Sequence, residues 1–286
     1  MTSSSDNSSA GYSPSPRPVY DAPTLIKRTA VRTHIWGDRE SGLVADWLYA
    51  STDKLHVLLF GLAPGRWFKH SPAYRTVFAA DEVLYVLSGS MLASNPETGE
   101  VLQCERGESL FFRRDTWHHV QARGEEPLRI LEFFAPPPAT GSSGVYAQQQ
   151  PYLEKSKYAR DEILGGATYP ARSTLKRLTK SDQSLRVEGD LTVGIIVSSE
   201  HLTVADIEVA GGAQGLPTKH DGDALLFGLH GEVMIRARWQ GSSFTFETGV
   251  HDGVFLPHGC SYEVLSFGRT ARLLLGVAPR YLHPWS

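Results

Sequence analysis

The sequence predicts an all-β protein built from two tandem barrels. Its apolar runs are short, rich in β-branched and aromatic residues, and end at Gly, Pro or Asn turns, as the strands of barrels and sandwiches do. Two of these runs, residues 81–89 and 107–118, align without a gap with residues 223–231 and 251–262. A gapless repeat of this kind indicates that one small barrel occurs twice in the chain.

Length and charge narrow the classes of protein to consider. The 286 residues suffice for two domains that each bury a core. The balance of 28 basic and 31 acidic residues gives no reason to expect nucleic acid or a membrane as a partner. Because the chain has no apolar run long enough to span a bilayer and no signal-like start, we expect a cytoplasmic protein. In that setting Cys104 and Cys260 are expected to be buried reduced thiols.

Composition divides the chain into four segments. Residues 1–20 are rich in Ser, Pro and Gly and are predicted to form a disordered tail. Residues 21–136 contain the first series of strands and turns, and residues 183–286 contain the second. Residues 137–182 begin as a Pro- and Gly-rich linker and continue into a helix-like arm at 153–164 with a charged face.

The strands of the first series follow one another at short intervals. Residues 54–62 form an apolar strand that the turn Ala63-Pro-Gly closes. Residues 81–89 form the next clear strand, and a turn at 95–99 leads to the strand before residue 112. Residues 128–134 complete the series. Regular spacing of this kind predicts a closed or nearly closed β-structure.

The two repeated motifs resemble those of the cupin family. Glu82 lies near the start of a strand that ends at Gly89, and His118 follows Gly107 after a strand and a turn. The resemblance covers most of the chain because both motifs recur in the second half. It implies a bicupin, that is, two tandem cupin barrels of the jelly-roll type, and pairing of two copies into a homodimer.

For the first barrel the resemblance implies a metal site. Metal-binding cupins usually offer His-x-His, a Glu a few residues later and a His on a later strand. Glu82 and His118 fit the last two positions, and His70 falls within one residue of the first when counted from Gly65. Counted back from Glu82, the same positions fall in residues 75–78, which offer no ligand. The extra residues, roughly 73–80, leave His70 open as either the third ligand or a surface histidine at the barrel mouth.

In the second barrel the corresponding positions have lost their donors. Ala224 replaces the Glu, Tyr262 replaces the late His, and Thr218 stands at the first His position, so His220 alone remains. One imidazole does not hold a divalent ion. We therefore expect one ion per chain, in the first barrel only.

Aromatic and basic side chains near the expected site are candidates for substrate binding. The aromatic candidates are Trp67, Tyr74, Phe78 and Phe112, which could line an apolar pocket or equally belong to the core. The basic candidates are Arg75 and Arg113. Arg113 takes the place of a turn Pro common in cupins, and an Arg there suits recognition of a carboxylate, although a surface role is the alternative.

Two functions from different classes are compatible with these residues. The first is a metal-dependent enzyme, foremost a non-haem iron dioxygenase for a small aromatic or diketone-like substrate, with Glu82, His118 and Arg113 as catalytic residues. Fe(II) is the first expectation for the divalent ion, with Zn, Mn or Ni as alternatives. The second is a metal-free bicupin that binds or senses a small molecule, or an isomerase that uses the same cavity.

Overall fold

The computed structural model describes residues 16–38, 42–68, 78–136 and 173–281, and the regular secondary structure of these residues is β-strand except for one short 3-10 helix, Lys180–Asp182. The predicted helical arm at 153–164 lies outside them. No helix within the described ranges has the length and apolar character needed to cross a membrane. Cys104 and Cys260 are both buried and unbonded, as expected.

The first barrel consists of a seven-stranded and a four-stranded antiparallel sheet. Its strands in chain order are β2 (Arg32–Asp38), β3 (Gly42–Ser51), β4 (His56–Leu62), β5 (Trp67–Phe68), β6 (Asp81–Ser88), β7 (Ser90–Ser94), β8 (Val101–Glu105), β9 (Ser109–Phe112), β10 (His119–Arg123), β11 (Leu128–Ala135) and β12 (Lys176–Leu178). The large sheet has the order β12-β9-β6-β11-β4-β3-β2, and the small sheet has the order β5-β10-β7-β8.

The second barrel repeats this arrangement. Its strands are β1 (Thr24–Ile26), β13 (Ser184–Glu188), β14 (Leu191–Ser198), β15 (Thr203–Val209), β16 (Thr218–Lys219), β17 (Asp221–His230), β18 (Val233–Trp239), β19 (Ser242–Thr248), β20 (Gly253–Leu256), β21 (Ser261–Leu265) and β22 (Ala271–Arg280). The large sheet has the order β1-β20-β17-β22-β15-β14-β13, and the small sheet has the order β16-β21-β18-β19.

The internal repeat predicted from the sequence is confirmed strand by strand. In the first barrel, β6 lies between β9 and β11; in the second, β17 lies between β20 and β22. These are the strands that contain the aligned motifs. The prediction of two tandem all-β barrels is therefore confirmed.

The large sheet of each barrel includes one strand that lies outside the continuous segment of chain forming the rest of that barrel. Residues 24–26, within the range predicted for the first barrel, pair with β20 of the second. Residues 176–178, within the range predicted for the linker and arm, pair with β9 of the first. The end of the predicted tail is also packed, because the backbone of Ser51 donates to the carbonyl of Pro18 and the ring of Tyr20 lies 5.6 Å from that of Phe255. These segments pack across because β9 and β20 each offer an unpaired edge next to buried apolar surface.

Three hydrophobic clusters explain why the large-sheet strands are apolar along their whole length. One cluster fills each barrel, and a third lies between the two large sheets, where Tyr49, Phe133, Phe227 and Leu274 meet. Side chains of a large-sheet strand therefore alternate between the barrel interior and the surface shared by the barrels, not between core and water. In β4 all seven residues are buried as a result.

Two equivalent turns tie the barrels together at the edge of this shared core. The turn after β3 brings Nζ of Lys54 to 4.0 Å from Oδ1 of Asp223 in the second barrel. The turn after β14 brings Glu200 to Arg113 of the first barrel at 2.9 Å. Arg113 also donates to Asp81 at 2.7 Å, and Asp81 and Asp223 are aligned residues of the repeat.

We predict that β1 contributes to stability and that residues 1–15 do not. Ile26 is 5% exposed and Ile35 is 67% exposed, so the two form a matched pair of strand isoleucines. Ile26→Ala should lower the free energy of unfolding by about 2–5 kcal/mol through lost burial and the cavity left behind. Ile35→Ala should change it by less than about 0.5 kcal/mol.

Chemical denaturation measures both values. Removal of residues 1–15 should leave the melting temperature unchanged, whereas removal of residues 1–28 should lower it by at least about 5 °C. Equal stability of the two truncated forms would contradict the packing of β1 on β20.

Candidate metal and substrate site

Glu82 lies inside the first barrel because of its position in β6. The strand alternates, so Val83 and Tyr85 face the second barrel while Leu84 and Val86 belong to the interior cluster. Glu82 shares the parity of Leu84 and is 1% exposed. A carboxyl group so deep in a barrel needs a hydrogen bond or a cation to offset its desolvation.

His118 reaches the same interior from the opposite sheet. It precedes β10, whose Val120 and Ala122 face the interior cluster, and it is 4% exposed. Its Nδ1 lies 3.1 Å from the carbonyl oxygen of Thr116, and a carbonyl can only accept, so Nδ1 carries the proton of this bond. Burial lowers the pKa of His118 to about 4, so the ring is neutral near pH 7, the form in which an imidazole binds a metal.

The donor atoms of these two residues approach one another. Nε2 of His118 and Oε2 of Glu82 are 4.0 Å apart, and Oε2 meets no hydrogen-bond donor within the described part of the chain. Two donors in neighbouring ligand positions, each about 2.1 Å from an ion, are about 3.0–3.4 Å apart. A movement of about 1 Å or less would therefore bring both side chains within binding distance of one ion.

A second buried carboxyl group, that of Glu132, adjoins Glu82. Burial raises the pKa of both groups, and each is raised further by a neighbouring carboxyl group: that of Glu132 for Glu82, and that of Asp46 for Glu132. Asp46 is itself buried, and its pKa is raised by that burial, although the His34 ring 3.9 Å away opposes the shift. The first barrel thus collects three carboxyl groups in its interior, an arrangement that a bound cation would stabilise.

The aromatic candidates separate into inward and outward residues. Phe112 is 1% exposed, and its ring centroid lies 4.4 Å from that of His118. Phe78 packs edge-on against Phe134 at 5.0 Å, beside the interior cluster. Trp67 does not face the site: it is 43% exposed, because its neighbour in the two-residue strand β5, Phe68, takes the inward position.

Arg113 also lies away from the interior, contrary to its expected role at the substrate. Its guanidinium binds Asp81 and Glu200 at the contact between the barrels. The reason is parity: Arg113 follows Phe112, which points inward, and Asp81 has the opposite parity to Glu82. The expectation that Arg113 holds a substrate carboxylate is therefore not met by this geometry.

Three predicted site residues, His70, Tyr74 and Arg75, lie outside the described residues. Their roles stay predictions. Within the described ranges, no group of three His, Cys, Asp or Glu side chains is arranged to hold a metal ion. The described part of the site is thus the pair Glu82 and His118 with Glu132 beside it.

Several interior polar residues were not identified from the sequence. Glu132, Asp46 and His56 lie on strands whose other residues are mostly apolar. The only sign of their inward position was that each is a single polar residue on the same face of its strand as buried apolar neighbours. His34 was missed for a different reason, since its partner Asp46 lies on the adjacent strand.

In the second barrel, an aromatic side chain occupies the position equivalent to His118. Tyr262 stands where His118 does, and its hydroxyl lies 2.9 Å from Nε2 of His220. The ring of Tyr281 lies 4.6 Å from that of His220, and its hydroxyl donates to Glu188 at 2.7 Å. The remaining imidazole is therefore hydrogen-bonded to a phenol in a packed aromatic cluster.

Comparisons with known proteins agree with this fold. Residues 72–134 match the family model described as Cupin domain. No curated protein sequence matches the chain significantly.

Among solved structures, the chain is similar to oxalate decarboxylases. The enzyme from Bacillus subtilis at pH 4.6 has 15% sequence identity and a TM-score of 0.65, covering 93% of this chain and 78% of that one. A formate complex of the Lactobacillus farciminis enzyme has 12% identity and a TM-score of 0.65, covering 93% and 88%. A further structure of the B. subtilis enzyme, at 14% identity and a TM-score of 0.63, is described by its Mn(II) centres. At these identities the likeness concerns the fold.

We predict that His56 makes the stability of the protein dependent on pH. His56 faces the same end of the interior, with Nδ1 2.8 Å from the hydroxyl of Ser51, and burial lowers its pKa from 6.5 to about 3. At pH values between these two, His56 is protonated in the unfolded chain and neutral in the folded chain. The free energy of unfolding therefore falls as the pH falls. Between pH 7.5 and pH 5, the free energy of unfolding of His56→Asn should fall by about 2 kcal/mol less than that of the wild type.

Denaturant titrations at the two pH values measure this difference. His230→Asn, at an exposed position, is the control and should keep the wild-type dependence. The same dependence in His56→Asn would show that His56 is not the neutral buried group described above.

Proposed function

The chain has the cupin fold in both barrels and a cupin domain in the first, and on this premise we propose that it is a metal-dependent enzyme with one active barrel. The observation that supports the proposal best is the buried, unsatisfied Oε2 of Glu82 opposite the neutral Nε2 of His118. A divalent ion satisfies both donors at once. His70 is proposed as the third ligand, because two protein donors alone hold such an ion weakly.

The finer proposal is an oxygen-dependent reaction on a small aromatic or diketone-like substrate. Two imidazoles and one carboxylate form the facial set that suits Fe(II) and leaves positions open for a bidentate substrate and dioxygen. When bound, the ion supplies Lewis acidity and redox chemistry. Phe112 and Phe78 provide an apolar wall that orients a planar substrate and excludes water from it.

A second candidate follows from the solved structures, several of which are oxalate decarboxylases. On this candidate the ion is Mn(II) and the substrate is a small dicarboxylate. The described interior favours it less, because Asp46, Glu82 and Glu132 face the site while Arg113 is bound at the barrel contact. Recognition of a dianion would then depend on Arg75, outside the described residues.

We predict at most one equivalent of metal per chain, held by the first barrel. His118→Ala and Glu82→Ala should each abolish metal content in elemental analysis, because each removes one of the few donors. His220→Ala, the matched histidine of the second barrel, should retain the wild-type content. A loss of metal in His220→Ala alone would reverse the assignment of the barrels.

Activity is measured with the Fe(II)-loaded protein by oxygen uptake in the presence of a catechol or a β-diketone. His118→Ala should reduce turnover to the level without enzyme, whereas Arg113→Ala should leave the KM unchanged. Formate release from oxalate by the Mn(II)-loaded protein would instead support the second candidate. Ligand binding that a chelator does not affect would contradict both candidates and favour a metal-free binding protein.

A further inference from the structure

Glu132 is a buried carboxyl group that the proposed reaction leaves without a role. It is the one charged residue in the middle of β11, where Leu131 and Phe133 face the second barrel and Ile130 and Phe134 face the interior of the first. Glu132 shares the parity of Ile130 and Phe134 and is 7% exposed. Burial of a carboxyl group there is unfavourable unless it has a partner.

The strand register makes Glu82 that partner. In the antiparallel pair of β11 and β6, Phe134 lies opposite Glu82 and Glu132 lies opposite Leu84. Glu132 and Glu82 are therefore diagonal neighbours on one face of the sheet, a separation that long side chains bridge. Their carboxyl groups lie close enough for each to affect the pKa of the other.

We infer that Glu132 is a positioning residue for the metal ligand Glu82. By holding the Glu82 carboxyl group from the side of β11, it fixes the rotamer in which Oε2 faces Nε2 of His118. Ligand carboxylates in metal sites are commonly held by such a partner beyond the ligand shell, which orients them and restricts their motion. The inference rests on the proposed function, because it assigns Glu132 a role only if Glu82 binds an ion.

The surroundings of Glu132 support this role and not that of a ligand. On its other side lies Asp46, which is held in turn by His34 on β2. The oxygen that approaches His118 belongs to Glu82. Glu132 thus lies between the ligand pair and the pair formed by Asp46 and His34, where it can orient Glu82.

Binding of Co(II) to the full-length protein tests the inference, since Co(II) reports its own coordination by visible absorption. Glu132→Ala should weaken Co(II) affinity about 10–100-fold, the usual effect of losing such a partner. Glu132→Gln keeps a side-chain donor of the same length and should restore most of the affinity. The absorption bands of bound Co(II) should shift in the Ala variant and remain near wild type in the Gln variant.

Two controls separate positioning from stability. Glu188→Ala removes a buried carboxyl group from the second barrel and should leave Co(II) affinity unchanged, although it removes the acceptor of Tyr281. In a Glu82→Ala background, which already lacks the ligand, adding Glu132→Ala shows through the melting temperature alone what Glu132 contributes to stability. The melting temperature of every metal-free variant is measured alongside.

Three results would overturn the inference. Wild-type affinity and spectrum in Glu132→Ala would show that Glu82 is oriented without Glu132. Equal losses in the Ala and Gln variants, with equally lowered melting temperatures, would show a purely structural role. Absence of Co(II) binding in the wild-type protein would remove the metal site itself, and with it the proposed function, whereas the first two results leave that function intact.

Discussion

The packing of the two seven-stranded sheets against each other is the constraint on which the rest of this structure depends. Each large sheet is covered on one face by its own small sheet and on the other by the opposite barrel. Because neither face meets water, a large-sheet strand sends alternate side chains into its barrel and into the shared core. This alternation decides that Glu82 enters the interior while Asp81 faces the other barrel.

Polar contacts at the margin of the shared core fix how the two sheets are aligned. Arg272 binds Asp206 through both carboxylate oxygens and also donates to the hydroxyl of Tyr85 in the first barrel. Asp206 is 2% exposed, so this bidentate pair is largely shielded from water and salt. An apolar surface alone permits sliding, whereas a directional contact of this kind selects one alignment. The strand that contains Glu82 thereby has a fixed position relative to both barrels.

The sequence was sufficient to predict the fold because repeats and turns are local signals. The motifs at residues 81–89 and 107–118 lie on strands that pair as their aligned copies do. Residues whose partners are distant in the chain were harder to interpret: Arg113 was expected at a substrate, and only the fold brings Glu200 to it.

Glu132 and Asp46 show a second limit of the same kind. A single acidic residue in an apolar strand can face water or an interior site, and the two cases have the same local pattern. Which case holds depends on whether the other face of the sheet is covered, and that is a property of the whole assembly of strands. The inward positions of these carboxyl groups therefore follow from the tertiary structure, in which the second barrel covers the other face of the sheet.

The exchange of β1 and β12 has a consequence for how the protein is made. As the chain leaves the ribosome, β1 emerges first, but its partner β20 (Gly253–Leu256) is among the last strands synthesised. The first barrel likewise lacks its edge strand until residues 176–178 have appeared. Neither large sheet has all seven strands while the other half is missing, so the last strand pairings form only when nearly the whole chain is available. A gene cut at the linker would yield two fragments that each lack one edge strand of the large sheet until they associate.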